Sequence, residues 1–165
     1  MTILDPRERV AAVAEGLLAR GERLAVAESC TGGLIAAWLT DRPGSSGWFE
    51  CGLVTYSNAA KQALLGVPAE TLEACGAVSG PTVLAMTAGL LQRAGVDWGL
   101  AVSGIAGPSG GSPDKPVGTV WIAWQGPGVA PSASRFLFRG DRQDVRHQAA
   151  LAALHELSVL IAARN

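Results

Sequence analysis

Apolar positions along the chain follow two rhythms, and the alternation between them predicts the elements. Val10, Val13, Leu17 and Leu18 recur at helical spacing behind Asp5-Pro6. Proline's fixed φ and missing N–H suit the first turn of a helix, so the pair reads as its start, and Gly21 lies just past its end. Leu24-Ala25-Val26-Ala27 is instead a continuous apolar run, the pattern of a strand covered on both faces. A helix is predicted over 34–40, stopped by Arg42-Pro43-Gly44, and a strand over 51–56. Ser57-Asn58 opens a helix over 59–65, closed by Gly66 and Pro68, and 70–75 is a short helical turn. Ser79-Gly80-Pro81 begins a longer helix to Arg93, with Val83, Leu84, Thr87, Leu90 and Leu91 on its inner face. A buried strand follows over 98–103, then a glycine- and proline-rich stretch from Gly104 to Pro116. Strands over 117–124 and 134–138, joined by a turn over 125–131, precede a final helix over 141–163.

Helices separate the strands in the first two-thirds of the chain, and strands then follow one another. That order predicts a three-layer α/β/α fold: a mixed, mostly parallel central sheet with helices on both faces, in one domain over residues 1–165. Ligands in such sheets bind beyond the carboxyl ends of the strands. Three links there carry chemistry: Glu28 to Gly33, Tyr56 to Lys61, and Ser103 to Gly111. With parallel strands all three open on one rim.

In the first link Ser29 stands between a strand and a helix, with Gly32 and Gly33 behind it. Backbone amides at such a turn can hold a phosphate or stabilise a tetrahedral oxyanion. The plainer alternative is that Ser29 or Thr31 caps the helix and the glycines allow close packing. Cys30 is a rival nucleophile with no histidine base nearby in sequence; burial is the commoner fate of a free cysteine. In the second link Lys61 falls near the third helical position, where the helix dipole favours the neutral amine. A neutral lysine can take a serine proton, giving a nucleophilic pair without histidine. Tyr56, the only tyrosine, ends the strand leading into that helix and is placed to relay or position a proton. A solvated lysine and a half-buried tyrosine are the alternative. The third link fails the dinucleotide fingerprint, because Gly104-Ile105-Ala106-Gly107 has the wrong spacing and no helix follows. Arg139, Arg142 and Arg146 gather at the start of the last helix, as an anion site or as partners of Asp141 and Asp144.

Composition removes several classes. The 165 residues are 48% apolar and 16% charged, against about 25% charged in typical domains, which excludes a disordered chain. So little charge also points to surface covered by a second copy, hence a homodimer or higher homo-oligomer. The formal net charge of −1 supplies no basic field for nucleic acid. Cys30, Cys51 and Cys75 form no disulfide framework, and with two histidines they offer no zinc-ligand spacing, so no metal is expected. His147 and His155 are too far apart for a metal pair on one helix face, and the five tryptophans lack the basic interleave of a base-stacking surface. Met1 to Arg9 lacks the apolar core of a signal peptide, and no apolar run reaches the roughly 18 residues of a membrane span. A cytoplasmic protein without a membrane partner is the expectation.

Six motifs then occur in one order: Ala27-Glu28-Ser29-Cys30-Thr31-Gly32-Gly33, Pro43-Gly44-Ser45-Ser46, Val54-Thr55-Tyr56-Ser57-Asn58 with Lys61, Gly76-Ala77-Val78-Ser79, Gly104-Ile105-Ala106-Gly107-Pro108 with Gly110-Gly111, and Lys115-Pro116-Val117-Gly118-Thr119-Val120. Together they strongly resemble the CinA C-terminal domain family in its stand-alone form, the nicotinamide-nucleotide amidases, from about residue 6 to 162. The resemblance implies hydrolysis of nicotinamide mononucleotide to nicotinate mononucleotide and ammonia, with no metal or other cofactor. It makes Ser29 the nucleophile, Lys61 the base and Tyr56 an aid to proton transfer. The amides of Cys30, Thr31, Gly32 and Gly33 become candidates for the oxyanion hole; Asn58, Ser103, Gly104, Gly107 and Arg142 become candidates for holding the substrate. Two positions depart from the family: Gly80 stands where a glutamate is usual, and Ser103 replaces a common threonine. The first keeps a second reading open, a nucleotide-binding or regulatory module with impaired catalysis. Larger relatives add an N-terminal domain resembling molybdopterin-binding proteins, whose chemistry is not carried over.

Overall fold

Asp5 starts the first helix by accepting a hydrogen bond from the Arg7 amide, and α1 spans Pro6–Leu18. From there the computed structural model, which describes residues 5–164, alternates strands and helices. The order is β1 (Leu24–Glu28), α2 (Leu34–Thr40), β2 (Phe49–Val54), α3 (Asn58–Leu65), α4 (Ala69–Cys75), α5 (Gly80–Ala94) and β3 (Trp98–Gly104). A hairpin of β4 (Thr119–Gly126) and β5 (Val129–Leu137) follows, and α6 (Arg142–Ala162) closes the chain.

The sheet runs β2-β1-β3-β4-β5. β1 lies parallel to both β2 and β3, whereas β4 is antiparallel to β3 and to β5. The result is the mixed α/β sheet with a parallel half that the element order predicts. Every residue of β1 is buried, because helices cover both faces. Alternation sorts its side chains. Leu24 and Val26 join a core with α1, α2 and α6, and Ala25 and Ala27 face the opposite core beneath α5. The second face is built from small residues, including Ala101 and Ala123, which lets α5 approach the sheet closely. Along α5 the buried stripe is Val83, Met86, Thr87 and Leu90; Leu84 and Leu91, expected there, are only partly buried.

Three strand boundaries differ from the sequence reading. β2 begins at Phe49, opposite Leu24, and ends at Val54, so Thr55 and Tyr56 belong to the following link. β4 begins at Thr119, because Gly118 turns the chain at φ +95° with its α-carbon against the Phe138 carbonyl. β5 begins at Val129 rather than 134, directly after a tight Pro127-Gly128 connection. Pro131 does not stop it, because β5 is an edge strand and the proline falls where the register to β4 shifts. A short 3₁₀ turn at Ser45–Gly47 also went unread.

Candidate active site

β1, β2 and β3 run parallel, so their carboxyl ends, Glu28, Val54 and Gly104, come to one edge of the sheet. The links that follow them wall a cleft of about 270 Å³. Ser29, Cys30, Tyr56, Lys61, Ser103, Gly104, Gly107 and Arg142 all line it, with Ala77 and Val78 from the turn before α5.

Lys61 is the most unusual residue in this cleft. It lies on the fourth residue of α3, one place later than expected, and is only 1% exposed. Its Nζ is 3.0 Å from Ser29 Oγ, 2.8 Å from the Thr55 carbonyl oxygen and 3.4 Å from the Tyr56 carbonyl oxygen. No carboxylate is paired with it among the described residues. Burial without a counter-ion pushes the ammonium toward the neutral amine, and its pKa is lowered from the ordinary lysine value for that reason. A neutral amine has two N–H bonds and one lone pair. Nζ is within donating reach of all three oxygens; once the amine is neutral, N–H bonds to the two carbonyls leave a lone pair that can accept from the Ser29 hydroxyl.

Ser29 is held by its own turn. Its amide donates to the Val102 carbonyl, and its carbonyl accepts from the Gly32 amide. Gly32 and Gly33 adopt φ of +61° and +99°, a conformation L side chains rarely take, and this lets α2 start immediately behind the serine. Neither Ser29 nor Thr31 caps α2. Glu28 does so: its buried carboxylate accepts from the amides of Gly33, Ile35 and Ala36. This residue escaped the sequence reading as a functional one, although a lone carboxylate ending an apolar strand five residues before a helix is a usable signal. Two of the four oxyanion candidates are therefore occupied, Gly32 by Ser29 and Gly33 by Glu28. The amides of Cys30 and Thr31 find no acceptor among the described residues, but only Cys30 lines the cleft; Thr31 is fully buried behind it. Cys30 is buried, and burial pushes its thiol pKa up to about 11. It is a neutral thiol at pH 7, a poor nucleophile.

Tyr56 is placed differently from expectation. Its side chain is 62% exposed at the mouth of the cleft, and its hydroxyl accepts from Arg142 at 3.0 Å. Only its main-chain oxygen meets Lys61. Arg142 also donates to the Gly107 carbonyl at 2.7 Å and so ties the glycine loop to α6. Arg146 points elsewhere, toward the carbonyls of Cys30 and Thr31. Neither arginine pairs with Asp141 or Asp144, whose carboxylates instead form a capping box at the start of α6. A second cleft of about 480 Å³ adjoins the first through Ala106 and Arg142, and Arg146 lines it. Asn58 is exposed on the first turn of α3 and does not line the cleft. Gly80 is buried against Trp121, whose ring would sit 3.1 Å from an added β-carbon. Among the described residues no group of three or more His, Cys, Asp or Glu is arranged to hold a metal ion.

Comparison with known proteins agrees with the motifs. The family model for the CinA C-terminal domain matches residues 7–161. The chain belongs to the CinA C-terminal domain family. A CinA-like protein of Anaeromyxobacter sp. (strain K) is 52% identical over 145 residues, covering 88% of this chain and 35% of that relative. The chain thus spans about a third of the length of the first curated relatives it matches. Nicotinamide-nucleotide amidohydrolase PncC of Escherichia coli (strain K12) is 51% identical over 148 residues, 88% of each chain. Among solved structures, the competence damage-inducible protein A of Klebsiella pneumoniae superposes with a TM-score of 0.93 at 43% identity, covering 98% of this chain and 99% of that one. The CinA-family fold therefore extends over nearly the whole chain, the site-bearing rim included. No helix among the described residues is long and apolar enough to cross a membrane.

Proposed function

We propose that this chain is a nicotinamide-nucleotide amidase, hydrolysing nicotinamide mononucleotide to nicotinate mononucleotide and ammonia. The observation that carries the reading is the buried Lys61 Nζ, 3.0 Å from Ser29 Oγ, in a chain 51% identical to an enzyme named for that activity. Ser29 Oγ attacks the carboxamide carbon while its proton passes to the Lys61 amine. The carbonyl electrons move onto oxygen, where the Cys30 amide is the free donor beside Ser29. Collapse breaks the C–N bond, Lys61 returns its proton to the leaving nitrogen, and ammonia departs from an acyl-serine ester. Water, deprotonated by the same amine, then attacks the ester and releases the carboxylate.

Arg142 supplies cationic charge where the two clefts meet, and the carbonyl-rich Gly104–Gly107 loop supplies acceptors for hydroxyl groups. That combination suits a ribose phosphate beside the reacting amide. Tyr56, steered by Arg142, closes the mouth over the ring, so its phenol acts on the bound substrate and not on Lys61. The test is product analysis with a chelator present: equal amounts of ammonia and nicotinate mononucleotide are expected. Nicotinamide riboside, which lacks the phosphate, should be a poorer substrate by at least about tenfold in kcat/KM. Tight binding of the nucleotide without ammonia release would instead favour a regulatory module.

A further inference from the structure

Arg146 lies in the second turn of α6 and forms no ion pair among the described residues. Asp141 and Asp144, the acids nearest in sequence, are consumed by the capping box. The guanidinium instead donates to two main-chain carbonyls across the molecule, from Nε to Cys30 O and from one terminal nitrogen to Thr31 O, both at 3.1 Å. These belong to the turn directly after Ser29. A peptide group is a single conjugated unit, so a cation on its oxygen strengthens the N–H at its other end as a donor. Cys30 lines the cleft and its amide has no acceptor among the described residues, whereas Thr31 is fully buried behind it. The Thr31 carbonyl shares its peptide with the Gly32 amide, which closes the turn onto the Ser29 carbonyl at 3.0 Å.

We propose that Arg146 is a positioning residue that holds and polarises the Cys30–Thr31–Gly32 peptides: the strengthened Gly32 amide grips the Ser29 carbonyl, whose own peptide carries the Cys30 amide, and so makes the Cys30 amide a stronger donor to the developing oxyanion. The inference rests on Ser29 being the acylated residue, but not on which amide or ester the enzyme prefers. Arg146 acts through the backbone, so its loss should lower kcat and leave KM for nicotinamide mononucleotide within about twofold. A residue that gripped the substrate phosphate from the second cleft would do the reverse.

The experiment compares Arg146→Met and Arg146→Lys with the unaltered chain in two assays, after thermal melting has shown that each variant folds. The first is ammonia release from nicotinamide mononucleotide. The second is the acylation rate of Ser29 by p-nitrophenyl acetate, in which Ser29 Oγ bonds the acetyl carbon, p-nitrophenolate leaves with the electron pair, and Lys61 takes the hydroxyl proton; peptide mass confirms the site. Arg146→Met should lose about tenfold or more in both kcat and acylation rate, less than the 10²–10³ expected for deleting an oxyanion donor outright. Added guanidinium, below denaturing concentration, should restore part of that loss. Arg146→Lys, a single point donor in place of a fork, should recover less than half of the rate. Unchanged rates in either folded variant overturn the proposal, and so does a loss confined to KM. If the unaltered chain is acylated at Ser29 but releases no ammonia from the nucleotide, the substrate reading fails and the acylation arm still decides the role of Arg146. If Ser29 is never acylated, both fall.

Discussion

Lys61 shows how much one residue's surroundings decide. Its position in a helix start was readable in the sequence, and so was the tendency of the dipole to favour the free amine. The stronger cause was not: the residue is buried against two carbonyls and a hydroxyl with no acid beside it, and only the fold brings those groups together. The pH dependence follows from the direction of its shift. The base works when unprotonated, so turnover should be present above its lowered pKa and fall away as pH drops through it. Lys61→Arg, which cannot shed its proton at any working pH, should cost about 10²–10⁴-fold in kcat and, because this buried site disfavours charge, should lower the melting temperature while unfolding stays cooperative. A pH–rate profile and a thermal scan check the two halves. Cys30 provides the complementary case, a rival nucleophile for which the sequence already favours burial, and burial disarms it. With a pKa pushed to about 11, its thiolate fraction at pH 7 is on the order of 10⁻⁴. Timed alkylation followed by peptide mass should label Cys51 and Cys75, both partly exposed, before Cys30.

At the scale of elements, the apolar rhythm made the helices and the parallel strands legible, and errors gathered where a single backbone feature overrides the rhythm. Val117 looked like the start of a strand, but Gly118 turns there; Pro131 looked like a break, but an edge strand tolerates it. Glu28 was legible as a residue and illegible as a cap, because its amide partners, Gly33, Ile35 and Ala36, lie at and beyond a Gly32-Gly33 turn that no periodicity announces. Glu28→Gln keeps the shape but swaps one acceptor for a donor aimed at N–H groups. It should cost about 1–3 kcal/mol of stability, read as a lower urea midpoint at constant slope, and should reduce activity by loosening the Ser29 turn. The contact of α3 with α5 makes a sharper prediction. A β-carbon at Gly89 would overlap the Leu65 carbonyl oxygen, and backbone cannot yield as a side chain does. Gly89→Ala should push α3 off α5, at about 1–3 kcal/mol by overpacking, and shift Lys61 away from Ser29. Stability and kcat should therefore fall together.

Across the whole molecule the net charge of −1 hides a local asymmetry. Arg142 stands where the two clefts meet and Arg146 lines the second; among the described residues neither forms an ion pair, although Asp141 lines that cleft too. Composition shows no overall basic field but could not locate this patch, because Asp141 and Asp144 adjoin the arginines in sequence and neutralise them on paper. If the patch reads a phosphate, raising ionic strength from about 0.05 to about 0.5 M should raise KM for nicotinamide mononucleotide by several-fold and change kcat little, since screening weakens attraction at an open site. Steady-state kinetics at the two salt concentrations measure it. The central claim, however, is the chemistry of one pair of side chains. Ammonia release from nicotinamide mononucleotide, measured with chelator for the unaltered chain, Ser29→Ala and Lys61→Ala, tests it most directly. The account predicts turnover in the first and losses of about 10²-fold or more in both folded variants. Activity near the unaltered rate in either one would contradict it.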